Sequence, residues 1–399
     1  MAQPEGAKPA SAGFLARVYA FKFADAFILI YPLYAVMFVD AGMTAGEIGM
    51  GLAVWSVTAF VVEVPAGVWA DRWSRRGILA IAQLVRLAGF ALWLAWPHLW
   101  GFFGGFLLWG IKSGLTGGCF EALVYDELKA AGREGDYTRV AGRAEAVQSV
   151  GILAASAAAA AVAPLGYGAL LVCSVAACAL GAASAMAFPK APRAELTGDV
   201  AYLAHLRLGL SQTLRTPGLL GLVVFIAVTL ALGGALDEFW SIFASRAGLN
   251  HSAVALFIAA MSAGQAVAAS LAHRIRALAT SWWYALFALN GAILAVAAAL
   301  FRPAAVLLLV LFSGGFKVID IVFEGRLQAT LPSETRATIA SVKGFVVEAA
   351  VTLLYLGFGP LAQVTSYRTA FLATGGVIGA VGLGLLGWRL SPRVSRRAA

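Results

Sequence analysis

Stretches of roughly 20 predominantly apolar residues, the length that crosses a bilayer core, follow one another along almost the whole chain. Inside hydrocarbon a backbone N–H or C=O finds no water, so a stretch of this kind must satisfy its own polar groups as a helix. Twelve such stretches are counted, at 15–38, 46–69, 77–97, 100–125, 140–163, 167–188, 218–244, 252–273, 280–300, 303–324, 337–360 and 367–389. The chain is 61% hydrophobic and 12% charged, whereas soluble domains carry about 25% charged residues. The expected fold class is therefore an all-α membrane protein of twelve transmembrane helices. Residues 1–13 are small and polar, which argues against a cleavable leader. Cys173 and Cys178 are five apart and point to different helix faces, so a disulfide between them is not expected.

The charges sort by side. Of 29 lysines and arginines, 21 fall at the termini and in the loops on their side, and 3 (Arg246, Arg302, Arg368) on the other. Cytoplasmic loops carry such an excess, so both termini are expected in the cytoplasm of a multi-pass inner-membrane protein. The net charge of +9 is accordingly a topology signal, and no nucleic-acid partner is expected. The apolar pattern is interrupted at 189–217, where Val200, Leu203, Leu206, Leu210 and Leu214 recur at helical steps. This segment divides the chain into an N-terminal six-helix bundle (1–188), a cytoplasmic linker with an amphipathic helix (189–217), and a C-terminal six-helix bundle with a basic tail (218–399).

After the second stretch comes Gly67-Val68-Trp69-Ala70-Asp71-Arg72-Trp73-Ser74-Arg75-Arg76. Its pattern, G-x-x-x-D-R-x-x-R-R, resembles the signature loop of the major facilitator superfamily. A second stretch, Glu121-Ala122-Leu123-Val124-Tyr125-Asp126-Glu127-Leu128-Lys129, continues to Arg139 and Arg143 and resembles a poorly characterised bacterial branch of that superfamily. The resemblance implies two six-helix bundles that alternate access to a central site. It also implies a conformational latch formed by Gly67, Asp71, Arg72, Arg75, Arg76 and Asp126. Two departures stand out. Ser74 replaces the usual glycine of the loop, and span five lacks the G-P-x-x-G-G kink of antiporters. Phe120-Glu121 at the end of span four echoes Phe323-Glu324 at the end of span ten, a faint internal repeat of the kind carriers show.

Ionisable residues inside spans cost about 2.5–3.5 kcal/mol each at a helix centre and are seldom idle. Asp25, Glu63, Arg86, Lys112, Asp237 and Glu238 are the candidates for proton coupling or substrate binding, with Asp25 first for the proton. Lys22 lies three residues before Asp25 on one helical face and is expected to neutralise it in part. Arg86 and Lys112 are read either as an anion site or as counter-ions for Asp25 and Glu63. Lys317 and Asp320 repeat the three-residue spacing in span ten.

The expected function is a secondary active transporter that moves a small solute by alternating access. Protons are the expected coupling ion, and efflux is slightly favoured over uptake. No cofactor or metal is expected, and the chain is expected to work as a monomer in the bilayer. A polytopic membrane enzyme is the competing class, but His98, His205, His251 and His273 are scattered and no hydrolase motif accompanies them. A non-transporting sensor or scaffold with a carrier fold is the third class. The topology is tested by placing a single cysteine at position 200 of a cysteine-free variant. A membrane-impermeant reagent should leave it unlabelled in intact cells and label it after lysis; labelling in intact cells would invert the topology.

Overall fold

The computed structural model describes residues 12–72, 74–189, 211, 213, 218–331 and 333–390. Its regular structure among these residues is helical throughout. The proposed amphipathic helix and the basic tail lie outside the described residues. Among the described residues ten helices are long and apolar enough to cross a membrane. The other two expected spans are present but broken. Span one consists of Ala12–Ala26 and Tyr34–Asp40, with turns between them. Span four consists of Leu99–Thr116 and Cys119–Ala130. Gly118 bends the chain there at φ +67, a left-handed conformation that a residue with a Cβ rarely adopts. Span seven is continuous, but five residues, Ala231–Ala235, form a π-helical turn before Asp237–Arg246.

Helix starts are set by local capping. In Thr44-Ala45-Gly46-Glu47 the Thr44 hydroxyl accepts from the Glu47 amide at 3.2 Å, and the Glu47 carboxylate accepts from the Thr44 amide at 2.8 Å. This reciprocal pair satisfies two amides that the first turn leaves open. Ser74 is extended (φ -174) and its hydroxyl accepts from the Gly77 amide. The serine that departs from the expected glycine thus serves as the N-cap of span three.

The chain forms two units, each with its own core. In the N-terminal unit span three packs along spans four and six, and span one along span five. In the C-terminal unit span nine packs along spans ten and twelve, and span seven along span eleven. The same pairings recur, which gives the echo of Phe120 and Phe323 structural content. Phe120 stacks on Phe21 of span one at 5.6 Å, and Phe323 meets Phe225 of span seven at 4.5 Å. Residues 38–53 group with the C-terminal unit, whereas the division drawn from the sequence places them in the N-terminal half. The reason is close packing: the Gly46 amide donates to Gln363 at 3.1 Å, and a Cβ on Gly49 would stand 3.1 Å from the Gly359 Cα.

Small residues let helices in lipid approach closely. At Gly291 of span nine a Cβ would meet the backbone nitrogen of Gly379 and lie 2.6 Å from the Gly375 carbonyl, both in span twelve. Gly384 has open space around it. Gly291→Leu should therefore destabilise the protein by about 1–3 kcal/mol, the cost of overpacking. Gly384→Leu should be near neutral. Thermal unfolding in detergent distinguishes them, and equal midpoints would mean that the close approach contributes nothing.

Candidate functional site

The N-terminal unit holds a buried ionic cluster. Asp25 closes the first helix of span one, and its Oδ1 accepts from Gln83 at 2.6 Å. The same oxygen lies 3.0 Å from Arg86 Nη2 and 3.1 Å from Lys112 Nζ. Arg86 also donates to the Asp25 backbone carbonyl and to the Tyr31 hydroxyl, both at 3.0 Å, and to Gln83 at 2.5 Å. It therefore closes the C-terminal end of a helix, where the dipole favours a cation. Its side chain is 1% exposed, and its Nε has no hydrogen-bond partner among the described residues. The break in span one is satisfied from span six: the Ile30 amide donates to the Ser174 hydroxyl at 3.0 Å.

Lys22 does not pair with Asp25 as its spacing leads one to expect. Its ammonium lies 2.9 Å from Glu145 and 3.9 Å from Glu121, and it donates to Gln148 at 3.0 Å. It also sits 4.6 Å above the Phe120 ring. Spans four and five offer these partners, while spans three and four supply two other cations to Asp25. A cavity of about 270 Å³ lies between, lined by Lys22, Asp25, Ser113, Thr116, Glu121 and Gln148 among others. It runs along the break in span four, with Gly117 and Gly118 in its wall. Glu63 approaches from span two, its Oε1 3.3 Å from where a Cβ on Gly117 would stand.

In the C-terminal unit Asp237 opens the helix after the π-helical turn, and Trp240 Nε1 donates to its Oδ1 at 2.7 Å. Its side chain is not packed in the unit's core, and no cation among the described residues pairs with it directly. Lys317 acts on it at longer range and pairs with Asp320 at 3.3 Å. Glu238, the next residue, is half-buried on another face of the helix. A π-helical turn inside a longer helix is a frequent mark of a functional site.

The signature loop is partly described. Arg75 pairs with Asp126, and Arg76 donates to the Phe188 carbonyl at 3.0 Å, at the end of span six. Gly67, Asp71 and Arg72 lie in the helix of span two, with the side chains of Asp71 and Arg72 outside the described part. Beyond span four Arg133 lies 2.6 Å from Asp136, and Arg139 lies 3.1 Å away. The Arg133 hydrogen bond holds the Asp136 carboxyl below its ordinary pKa. The sequence alone does not single out Glu145, Glu121 or Gln83 as site residues. The Phe120-Glu121 echo is the one available signal.

Broken spans and intramembrane charge clusters are features found in multi-pass carriers. A family model, Major Facilitator Superfamily, matches residues 18–350, and the chain belongs to that superfamily. Among solved structures it is similar to the nucleoside transporter NupG with a TM-score of 0.74 at 15% identity, covering 96% of this chain and 100% of that one. It is also similar to a D-xylose-proton symporter (TM-score 0.71, 13% identity, 95% and 96% covered). A bacterial homolog of the human lysosomal transporter Spinster gives 0.71 at 14% identity, with 96% and 97% covered. Among curated proteins no sequence matches it.

Removing one partner of a buried ionic cluster leaves an uncompensated charge and costs about 3–5 kcal/mol, whereas an exposed pair is worth about 0–1. Arg86→Leu should therefore lower thermal stability far more than Lys22→Leu, whose partners Glu121 and Glu145 are exposed. Equal losses would show that the Asp25 cluster is not the structural centre of its unit.

Proposed function

We propose that this chain is a proton-coupled secondary transporter of a small solute, seated as a monomer in the cytoplasmic membrane with both termini in the cytoplasm. The observation that carries the reading is the ionic cluster at the cavity of the N-terminal unit. Asp25 lines the cavity and is held within the membrane by Arg86 and Lys112 behind it, and an intramembrane cluster of that kind supports the binding of a polar solute. The superfamily fold supports transport, and the D-xylose-proton symporter among its structural neighbours supports the choice of coupling ion. The basic loops support the orientation.

We take the proton role away from Asp25. A proton arriving there would have to displace two cations in direct contact. Asp237 has no such contact among the described residues and sits beside a π-helical turn, a frequent mark of a functional site. We therefore assign proton coupling to Asp237, with Glu238 and Glu63 as the other candidate carboxylates. Asp25, Arg86 and Lys112 are assigned to the solute. The latch reading of the signature loop is kept for Arg75 and Asp126, whose pairing ties the start of span three to the end of span four.

Proteoliposomes supplied with a mixed panel of small polar solutes, with and without an imposed pH gradient, test this. At least one solute should accumulate above its external concentration only when the gradient is present. Asp237→Asn should abolish that accumulation while leaving exchange down a solute gradient. Accumulation that survives in Asp237→Asn would remove the proton role from this residue. Absence of movement of every solute would overturn the transporter reading.

A further inference from the structure

We infer that the cavity of the N-terminal unit is built for an uncharged polyhydroxy solute, a small ring or chain bearing several hydroxyls. This rests on reading that cavity as the solute site. The ions around it are already matched. Asp25, which lines the cavity, is held from behind by Arg86 at 3.0 Å and Lys112 at 3.1 Å. Lys22 and Glu121 also line it, and Lys22 reaches Glu145 at 2.9 Å and Glu121 at 3.9 Å. The group holds as many carboxylates as cations, so its charges cancel. Among the described residues no cation of the lining is left to receive an anion. The Lys22 ammonium is spent on Glu145, on Gln148 at 3.0 Å and on the Phe120 ring at 4.6 Å. A cation gains little either. Glu121 is exposed, and water screens its charge; beside Asp25 a cation would meet the field of Arg86 and Lys112.

What the wall presents instead is hydrogen-bonding capacity. The donors to the Asp25 carboxylate all use Oδ1, which leaves Oδ2 as an acceptor. The Thr116 hydroxyl directs its proton to the backbone carbonyls of Lys112 and Ser113 at 3.1 Å, so its oxygen is a second acceptor. The Glu121 carboxylate, 3.9 Å from Lys22 and beyond hydrogen-bond reach, is a third. Gln148 accepts from Lys22 on Oε1, so its amide nitrogen is the end that can donate. Ser113 Oγ accepts from Trp55 Nε1 at 3.2 Å and keeps its own proton to give. These acceptors and donors are spread over spans one, four and five. A hydroxyl gives one proton and accepts two, so several hydroxyls on one small skeleton engage both kinds of group, which a single amide or amine does not. Phe21 and Phe120, stacked at 5.6 Å, form the apolar part of the wall, against which the C–H face of such a skeleton packs.

The test is ligand-induced thermal stabilisation of the purified full chain in detergent, with three pools matched in skeleton. One contains neutral pentoses, hexoses and their alditols, the second the corresponding uronic acids (anions), and the third the corresponding amino sugars in their protonated form (cations). The neutral pool should raise the unfolding midpoint in a saturable way, at concentrations at least about tenfold below either charged pool, because a charge brought in without a partner is penalised. Thr116→Val combined with Ser113→Ala removes one acceptor and one donor and should weaken the neutral pool by about tenfold or more. A charged pool that matches the neutral one overturns the inference, as does the absence of a shift with the neutral pool. A shift that neither saturates nor changes in the double variant is the general stabilisation that excluded sugars give any protein, and it overturns the inference too. Flux separates this failure from that of the transporter reading. If proteoliposomes move some other solute while the neutral pool gives no saturable shift, the inference falls and the transporter reading stands. If nothing moves, both fall.

Discussion

Asp25 Oδ1 gathers Gln83, Arg86 and Lys112, and through them joins spans one, three and four inside the apolar interior. In water such a cluster would contribute little, because each charge would be solvated separately. Within a bilayer the charges have no alternative to one another. The position of Asp25 at the last turn of the first helix also explains why span one can break there. Arg86 takes up the Asp25 carbonyl that the ended helix leaves free, and Ser174 takes up the Ile30 amide in the turns that follow. A broken helix at membrane depth is tolerated only where protein or a cavity supplies these partners. The breaks in spans one and four both adjoin the same cavity, so the ionic cluster and the irregular backbone depend on one another.

The two units repeat their helix pairings but not their chemistry. The N-terminal unit concentrates charge: six ionised side chains lie in or next to its cavity. The C-terminal unit has a π-helical turn with a carboxylate beside it, and its lysines are held by Asp320 at 3.3 Å and Glu324 at 2.8 Å. Glu324 and Glu121 occupy corresponding places after a phenylalanine, yet Glu324 is paired to Lys343 of span eleven while Glu121 shares Lys22 with Glu145. A repeat conserves backbone packing more easily than side-chain partners, since packing depends on size and pairing on individual atoms. This division of chemistry is the physical basis for assigning solute binding to one unit and proton uptake to the other.

Much of the fold is legible in the sequence because the bilayer imposes a length and a composition on each span. The superfamily is legible in Gly67, Asp71 and the arginines that follow. The breaks are less legible. Ile28, Leu29 and Ile30 are as apolar as any helical residues, and the local mark of that break is Pro32, which has no N–H to give a helix and turns the residue before it away from helical geometry; Gly117-Gly118 and Gly233-Gly234 give a hint of the others. The Lys22–Asp25 spacing correctly places both on one face, but a spacing reports a face and not a partner. Glu145 is 123 residues away from Lys22 and is invisible to any local pattern. That ionisable residues inside spans are candidates is readable from cost alone, although cost does not separate the six from Lys317 and Asp320. The grouping of three of them into one cluster around Asp25, with Asp237 in a different setting, requires the fold.

The central claim is that Asp25, Arg86 and Lys112 form one coupled unit rather than three separate polar residues. A double-mutant cycle on thermal stability in detergent tests it most directly, using Asp25→Asn, Lys112→Met and the two combined. The account predicts a coupling of at least about 1 kcal/mol, with the double variant losing less than the sum of the singles, as residues in one ionic network do. Additivity within about 0.5 kcal/mol would contradict it and would leave Asp25 without the fixed position on which the cavity's proposed chemistry rests.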